Sequence, residues 1–160
     1  MGSTRMRVLV VSGYYKPAYV YGGPVKSVSE LCEGMARLGA DVTVFTTDAN
    51  GRGKRLSLVD GRKQVVEGVE VRYYAVDWAL ASLMPFYSAE LAGACRDELS
   101  TYDVVYLPST WTHAMWAAAR IAIRKRVPYV VSPRGSFMEW SLEQKALKKK
   151  IYLSLFERRF

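Results

Sequence analysis

Five short apolar runs rich in β-branched residues recur along the chain, each followed by a segment long enough to cross over to the next. They are "MRVLVVSG" (Met6–Gly13), "DVTVFTT" (Asp41–Thr47), "VEVRYYAV" (Val69–Val76), "DVVYLP" (Asp103–Pro108) and "PYVVSP" (Pro128–Pro133). A near-continuous apolar run, rather than an alternating one, is the pattern of a strand buried on both faces. After the first run, Val25, Val28, Leu31, Cys32, Met35 and Leu38 recur at helical spacing. Pro24 suits the first turn of that helix and Gly39 ends it. Further helices are expected over Pro85–Leu99, over His113–Lys125 and from about Ser141 onward. The stretch "DANGRGKRLSLVDGRKQVVEG" is polar and basic, and reads as a solvated excursion with room for a short hairpin. Strands alternating with helices predict an α/β fold: a doubly wound, Rossmann-like parallel sheet, strand order 3-2-1-4-5, with helices on both faces.

Such a sheet binds ligands beyond the carboxyl ends of its strands, where the strand order reverses. Here that point lies between the first and fourth strands. The loops Gly13–Gly23, Pro108–Thr112 and Pro133–Trp140 therefore carry the expected site. A dinucleotide turn needs G-x-G-x-x-G directly after the first strand. Gly13 is instead followed by Tyr14, Tyr15, Lys16 and Pro17, and the next glycines are Gly22 and Gly23. Asp48, at the end of the second strand, resembles a ribose-binding acid in position only. No G-x-x-x-x-G-K-[ST] phosphate loop is present. Gly22-Gly23-Pro24 offers something related, since paired glycines admit a ligand close to the backbone and the following helix turns its positive end toward it. The alternative is a flexible loop and a proline-started helix with no ligand.

The chain has 160 residues, half of them hydrophobic, and a formal net charge of +8. That length suits one domain with a substantial core. That charge admits phosphates, nucleic acid or an anionic membrane as partners. Nucleic-acid binding is the weakest of these readings, because Tyr73, Tyr74, Tyr106 and Tyr129 fall in expected buried strands and no recognition module is visible. The two cysteines, Cys32 and Cys95, fall in helical segments and suggest neither a disulfide framework nor a metal site. "MGSTR" reads as a cloning remnant (residues 1–5), with the native start at Met6. No export signal or membrane span is read from the sequence. The most apolar stretch, Trp78–Cys95, contains Pro85 and Glu90.

The long loop ending in Gly-Gly, then "VKSVSELCEGMARLGADVTVFTT", resembles the N-terminal half of retaining GT-B glycosyltransferases of the family 4 type. "DVVYLPSTWTHAMWAAARIAIRKRVPYVVSPRGSFMEWSLEQKALKKKIYLSLFERR" is similar to a segment of members that build bacterial surface and exopolysaccharides. The resemblance implies an acceptor-side domain that faces a C-terminal donor domain across a cleft. It implies a nucleotide-sugar as co-substrate, held mainly by that other domain with its pair of glutamates, and no metal or other cofactor. It places Gly22 and Gly23 at the donor diphosphate, with Pro24 and Lys26 beside them. It places Tyr15, Trp111, Thr112, His113, Arg134 and Gly135 along the acceptor cleft. The family often has H-x-H-G-x-W where this chain has "YLPSTW" (Tyr106–Trp111). The family histidines would fall at Tyr106 and Pro108. His113 is the one candidate to replace them, the alternative being an exposed first-turn histidine. Trp111 is either a stacking wall for a sugar or a core plug.

Phe160 falls inside a helical pattern, so the donor domain is expected outside these residues, in cis or in a partner chain, and the fragment is expected to be inactive alone. The last helix carries Lys145, Lys148, Lys149, Arg158 and Arg159 around an apolar stripe. It fits a cytoplasmic protein resting on the inner, anionic face of a membrane, with a sugar or lipid-linked sugar as acceptor. A non-catalytic interaction domain and half of a split enzyme are the competing readings.

Overall fold

The computed structural model of the chain describes residues 5–59 and 61–134. The expected last helix, Gly135 and the basic residues Lys145, Lys148, Lys149, Arg158 and Arg159 lie outside the described residues.

The first apolar run becomes the central strand β1 (Arg7–Val11), hydrogen-bonded on both sides. It pairs in parallel with β2 (Asp41–Thr47) and with β5 (Val104–Leu107). Val8 lies opposite both Val42 and Val104. Beyond β2 lies β4 (Val69–Tyr74), and beyond β5 lies β6 (Tyr129–Val131), again in parallel. The five parallel strands have the predicted order, with one addition. An antiparallel strand, β3 (Lys63–Val66), closes the edge in a hairpin with β4. Its turn is Glu67-Gly68, both at positive φ, the geometry that matches strand twist in a two-residue hairpin loop.

Successive side chains of a strand point to opposite faces, which explains the uninterrupted apolar run in β1. Val8 and Val10 join a core with Val28 and Cys32 of α1 (Gly23–Arg37). Leu9 and Val11 join the opposite core with Leu91 and Cys95 of α3 (Ala89–Glu98) and Ala114, Ala118 and Ala122 of α4 (His113–Lys125). Thus α1 covers one face and α3 with α4 the other. Burial pushes the thiols of Cys32 and Cys95 up to about 11 and about 12. They are packing groups, not nucleophiles.

The helix expected over Pro85–Leu99 starts four residues later, as α3, and a separate short helix precedes it. A short α2 (Trp78–Ala81) starts on Asp77, whose Oδ1 accepts from the Ala79 and Leu80 N–H groups. The chain then leaves helical geometry, because Pro85 has no N–H to give and Phe86 adopts a left-handed φ of 58°. Helix α3 restarts on Ser88, whose Oγ accepts from Leu91 N–H at 3.1 Å. Helix α4 has the predicted bounds, with Thr112 Oγ1 accepting from Met115 N–H. Among the described residues, no helix is long and apolar enough to cross a membrane.

Candidate functional site

The long first loop is packed rather than open. Tyr14 stacks on Tyr21 at 4.9 Å, and Phe86 meets both rings at 5.1 and 5.2 Å. A Cβ on Gly13 would stand 2.8 Å from the Phe86 ring, so only glycine lets this aromatic plug close over the end of β1. Lys16 pairs with Glu33, and Tyr73 Oη donates to the Lys16 carbonyl at 2.7 Å. Tyr21 Oη accepts from Gly51 N–H at 2.9 Å.

Tyr15, expected along the cleft, is fully buried beneath this loop in the α1-side core. Its phenol is pushed upward in pKa by burial. It packs as a core residue. Asp48 is structural as well. Its carboxylate receives Arg55 Nη1 at 2.7 Å and Val76 N–H at 2.9 Å.

What the packed loop leaves open is its last turn. Gly22 and Gly23 are exposed, and a Cβ on either would meet nothing within 4 Å. Gly22 has φ 76° and ψ −146°, a conformation that side chains forbid. Its N–H is taken by the Tyr19 carbonyl and its carbonyl by Val25 N–H. Pro24 contributes no N–H. The two glycines therefore do different things. Gly22→Ala is expected to cost about 1–3 kcal/mol of stability through backbone strain. Gly23→Ala is expected to stay within about 0.5 kcal/mol of the parent. Urea unfolding of both variants checks this, and the reverse order would refute it.

Arg134 reaches this turn from the far side of the sheet. Its Nη1 donates to Ser27 Oγ at 2.7 Å and its Nη2 to Tyr106 Oη at 3.0 Å. A guanidinium is thereby fixed over the first turns of α1, beside Tyr14, whose pKa is raised by burial and partly offset by that charge. Lys26 lies on the same turn, exposed and loosely paired with Glu30 at 3.8 Å. An open glycine turn, a helix N-terminus and two cations, features that suit an anion, come together here. Ser27 was not singled out by sequence, and Tyr106 only as the place where the resemblance would put a histidine; here its hydroxyl accepts from Arg134.

The other expected cleft residues separate from this group. Trp111 is half-buried, with a left-handed φ of 64°, and Thr112 is the buried cap of α4. The hydroxyls of Ser109 and Thr110 in the same loop are buried without a hydrogen-bond partner. Such groups need a ligand or an ordered water. His113 is 5 % exposed, so it is not the solvent-facing residue that a first-turn position suggested. Its ring packs on Tyr87 at 4.2 Å, and its Nδ1 accepts from Ser88 N–H at 3.3 Å, which turns it toward α3. Burial lowers its pKa to about 4. Among the described residues, no group of three or more His, Cys, Asp or Glu side chains is placed to hold a metal.

No curated protein and no solved structure matches the chain. The family model of the glycosyl transferase 4-like domain does, and its match begins at Gly22, the first glycine of the open turn. Since that match runs over residues 22–160, most of the chain, the protein belongs to the glycosyl transferase 4-like domain family.

Proposed function

We propose that this domain is the acceptor-binding half of a glycosyltransferase that moves a sugar from a nucleotide-sugar to a glycan or lipid-linked acceptor. The observation that carries the reading is the open Gly22–Gly23 turn with Arg134 clamped beside it on Ser27 and Tyr106. In this reading the donor's diphosphate, held chiefly by a second domain, approaches Gly23, and Arg134 offers it a fixed planar cation. The acceptor lies along the loop between β5 and α4, where Ser109 and Thr110 have hydrogen-bonding capacity to spare. The chain's own part is binding and orientation. It positions an acceptor hydroxyl against a donor supplied from across the cleft. The sugars belong to surface or exopolysaccharide synthesis on the cytoplasmic side of a membrane.

The test uses this domain together with its donor-binding domain, in one chain or as two. Gly23→Trp fills the open turn without forcing the backbone. Transfer is expected to fall on the order of 100-fold, with the thermal midpoint of unfolding unchanged. An unchanged transfer rate would remove Gly23 from the donor's path and with it this reading of the mouth.

A further inference from the structure

Between α3 and α4, on the face of the sheet opposite α1, runs a groove of about 460 Å³. Tyr87, His113 and Trp116, together with Arg96, Arg120 and Arg124, are among its lining residues. Among the described residues, no acidic side chain lines it. Some arginines elsewhere are neutralised. Arg55, Arg62 and Arg72 each hold a carboxylate at 2.7–2.9 Å. The three groove arginines form no salt bridge among the described residues. Gathering three like charges in one groove raises its potential and leaves it suited to an anion.

The groove has more order than a patch of surface charge. The Arg120 guanidinium lies over the Trp116 ring at 4.8 Å, which fixes its plane and leaves N–H edges to donate. His113 is nearly fully buried, its Nδ1 is occupied by Ser88 N–H, and its neutral ring therefore carries its proton on Nε2. Among the described residues no hydrogen bond to that second nitrogen is found, and His113 lines the groove. The volume falls within the roughly 300–1,000 Å³ of small-molecule sites. Tyr87 and Trp116 supply flat amphipathic surfaces for a sugar- or glycerol-sized body.

We propose that the α3–α4 groove binds a phosphate-bearing ligand, its phosphate held by Arg96, Arg120 and Arg124 and its polar body placed between Tyr87, Trp116 and His113. This site is separate from the Gly22–Arg134 mouth and does not depend on the function proposed for it. A soluble phosphorylated sugar and a phospholipid headgroup share this chemistry.

The test uses the 160-residue chain, glucose 1-phosphate, glucose, and vesicles of phosphatidylcholine with or without phosphatidylglycerol. Glucose 1-phosphate is expected to shift the backbone amide resonances of residues 92–96 and 113–124, and glucose is expected to leave them in place. The triple variant R96Q/R120Q/R124Q is expected to bind at least 10-fold more weakly, and Arg37→Gln, at an exposed arginine of α1 on the other face of the sheet, to bind like the parent. Arg124→Glu, a single exposed change, provides a second variant should the triple one fold poorly. Retention on phosphatidylglycerol vesicles that is lost in these variants would identify a lipid headgroup as the source. Binding of glucose 1-phosphate without vesicle retention would identify a soluble phosphorylated sugar. The proposal is overturned if neither probe engages the groove, if the variants bind like the parent, or if an oligonucleotide binds through the same arginines more tightly than either probe.

Discussion

Asp48→Ala is expected to destabilise the domain by about 2–4 kcal/mol, although its position at a strand end invites a ligand-binding role. The carboxylate is 5 % exposed and joins three segments. It accepts from Arg55 in the basic excursion and from Val76 N–H just past β4, while its own backbone N–H donates to the Tyr74 carbonyl. Its carbonyl accepts from Leu56 N–H at 2.7 Å. Removing the side chain leaves the Val76 N–H buried and unpaired, which accounts for most of the loss. Arg55 is nearly half exposed, so water takes over part of its share. Asp48→Asn keeps an acceptor for Val76 and is expected to lose roughly half as much. Urea unfolding at neutral pH measures both. An Asp48→Ala variant within about 0.5 kcal/mol of the parent would show that the excursion is not anchored there.

The sheet was legible because its strands are buried on both faces. Composition alone then marks them, and the crossovers between them dictate parallel pairing. Helix α4 was legible for a related reason, since Thr112 and the alanine-rich face behind it state both its start and its buried side. The break between α2 and α3 was not legible as such. Pro85 and Ser88 signal a boundary, but the left-handed Phe86 is held by its packing against Gly13, Tyr14 and Tyr21, far away in sequence. The same limit applies to the mouth. Gly22 and Gly23 announce themselves as a pair, whereas Arg134 meets Ser27 across 107 positions and Tyr106 across 28. Tyr15 shows the converse. A loop aromatic next to a glycine turn looks like a ligand wall, yet Tyr14 packs in the half-buried aromatic plug and Tyr15 in the core on the α1 side.

His113 is expected to make the fold acid-sensitive in a window where few other groups titrate. It is the chain's one histidine, so the effect has a single assignable source. Burial lowers its pKa from 6.5 to about 4, and acceptance of the Ser88 N–H at Nδ1 further favours the neutral ring. The unfolded chain therefore binds a proton below pH 6.5 that the folded chain refuses until about pH 4. Stability is full above the higher value and is lost as the pH falls toward the lower one. The whole window corresponds to about 3 kcal/mol, and the part between pH 7 and pH 5 to about 2 kcal/mol. Glu70, whose pKa is lowered from 4.5 by its hydrogen bonds and charge pairing with Arg72 and Lys63 in spite of partial burial, adds its acid sensitivity below that interval. Urea unfolding at the two pH values should show the loss in the parent chain. His113→Asn can still accept from Ser88 N–H but has nothing to titrate, so it should show a flat profile at a lower overall stability. A parent chain equally stable at pH 7 and pH 5 would mean that the imidazole reaches water when it takes up its proton, and that Tyr87 and Trp116 do not seal it.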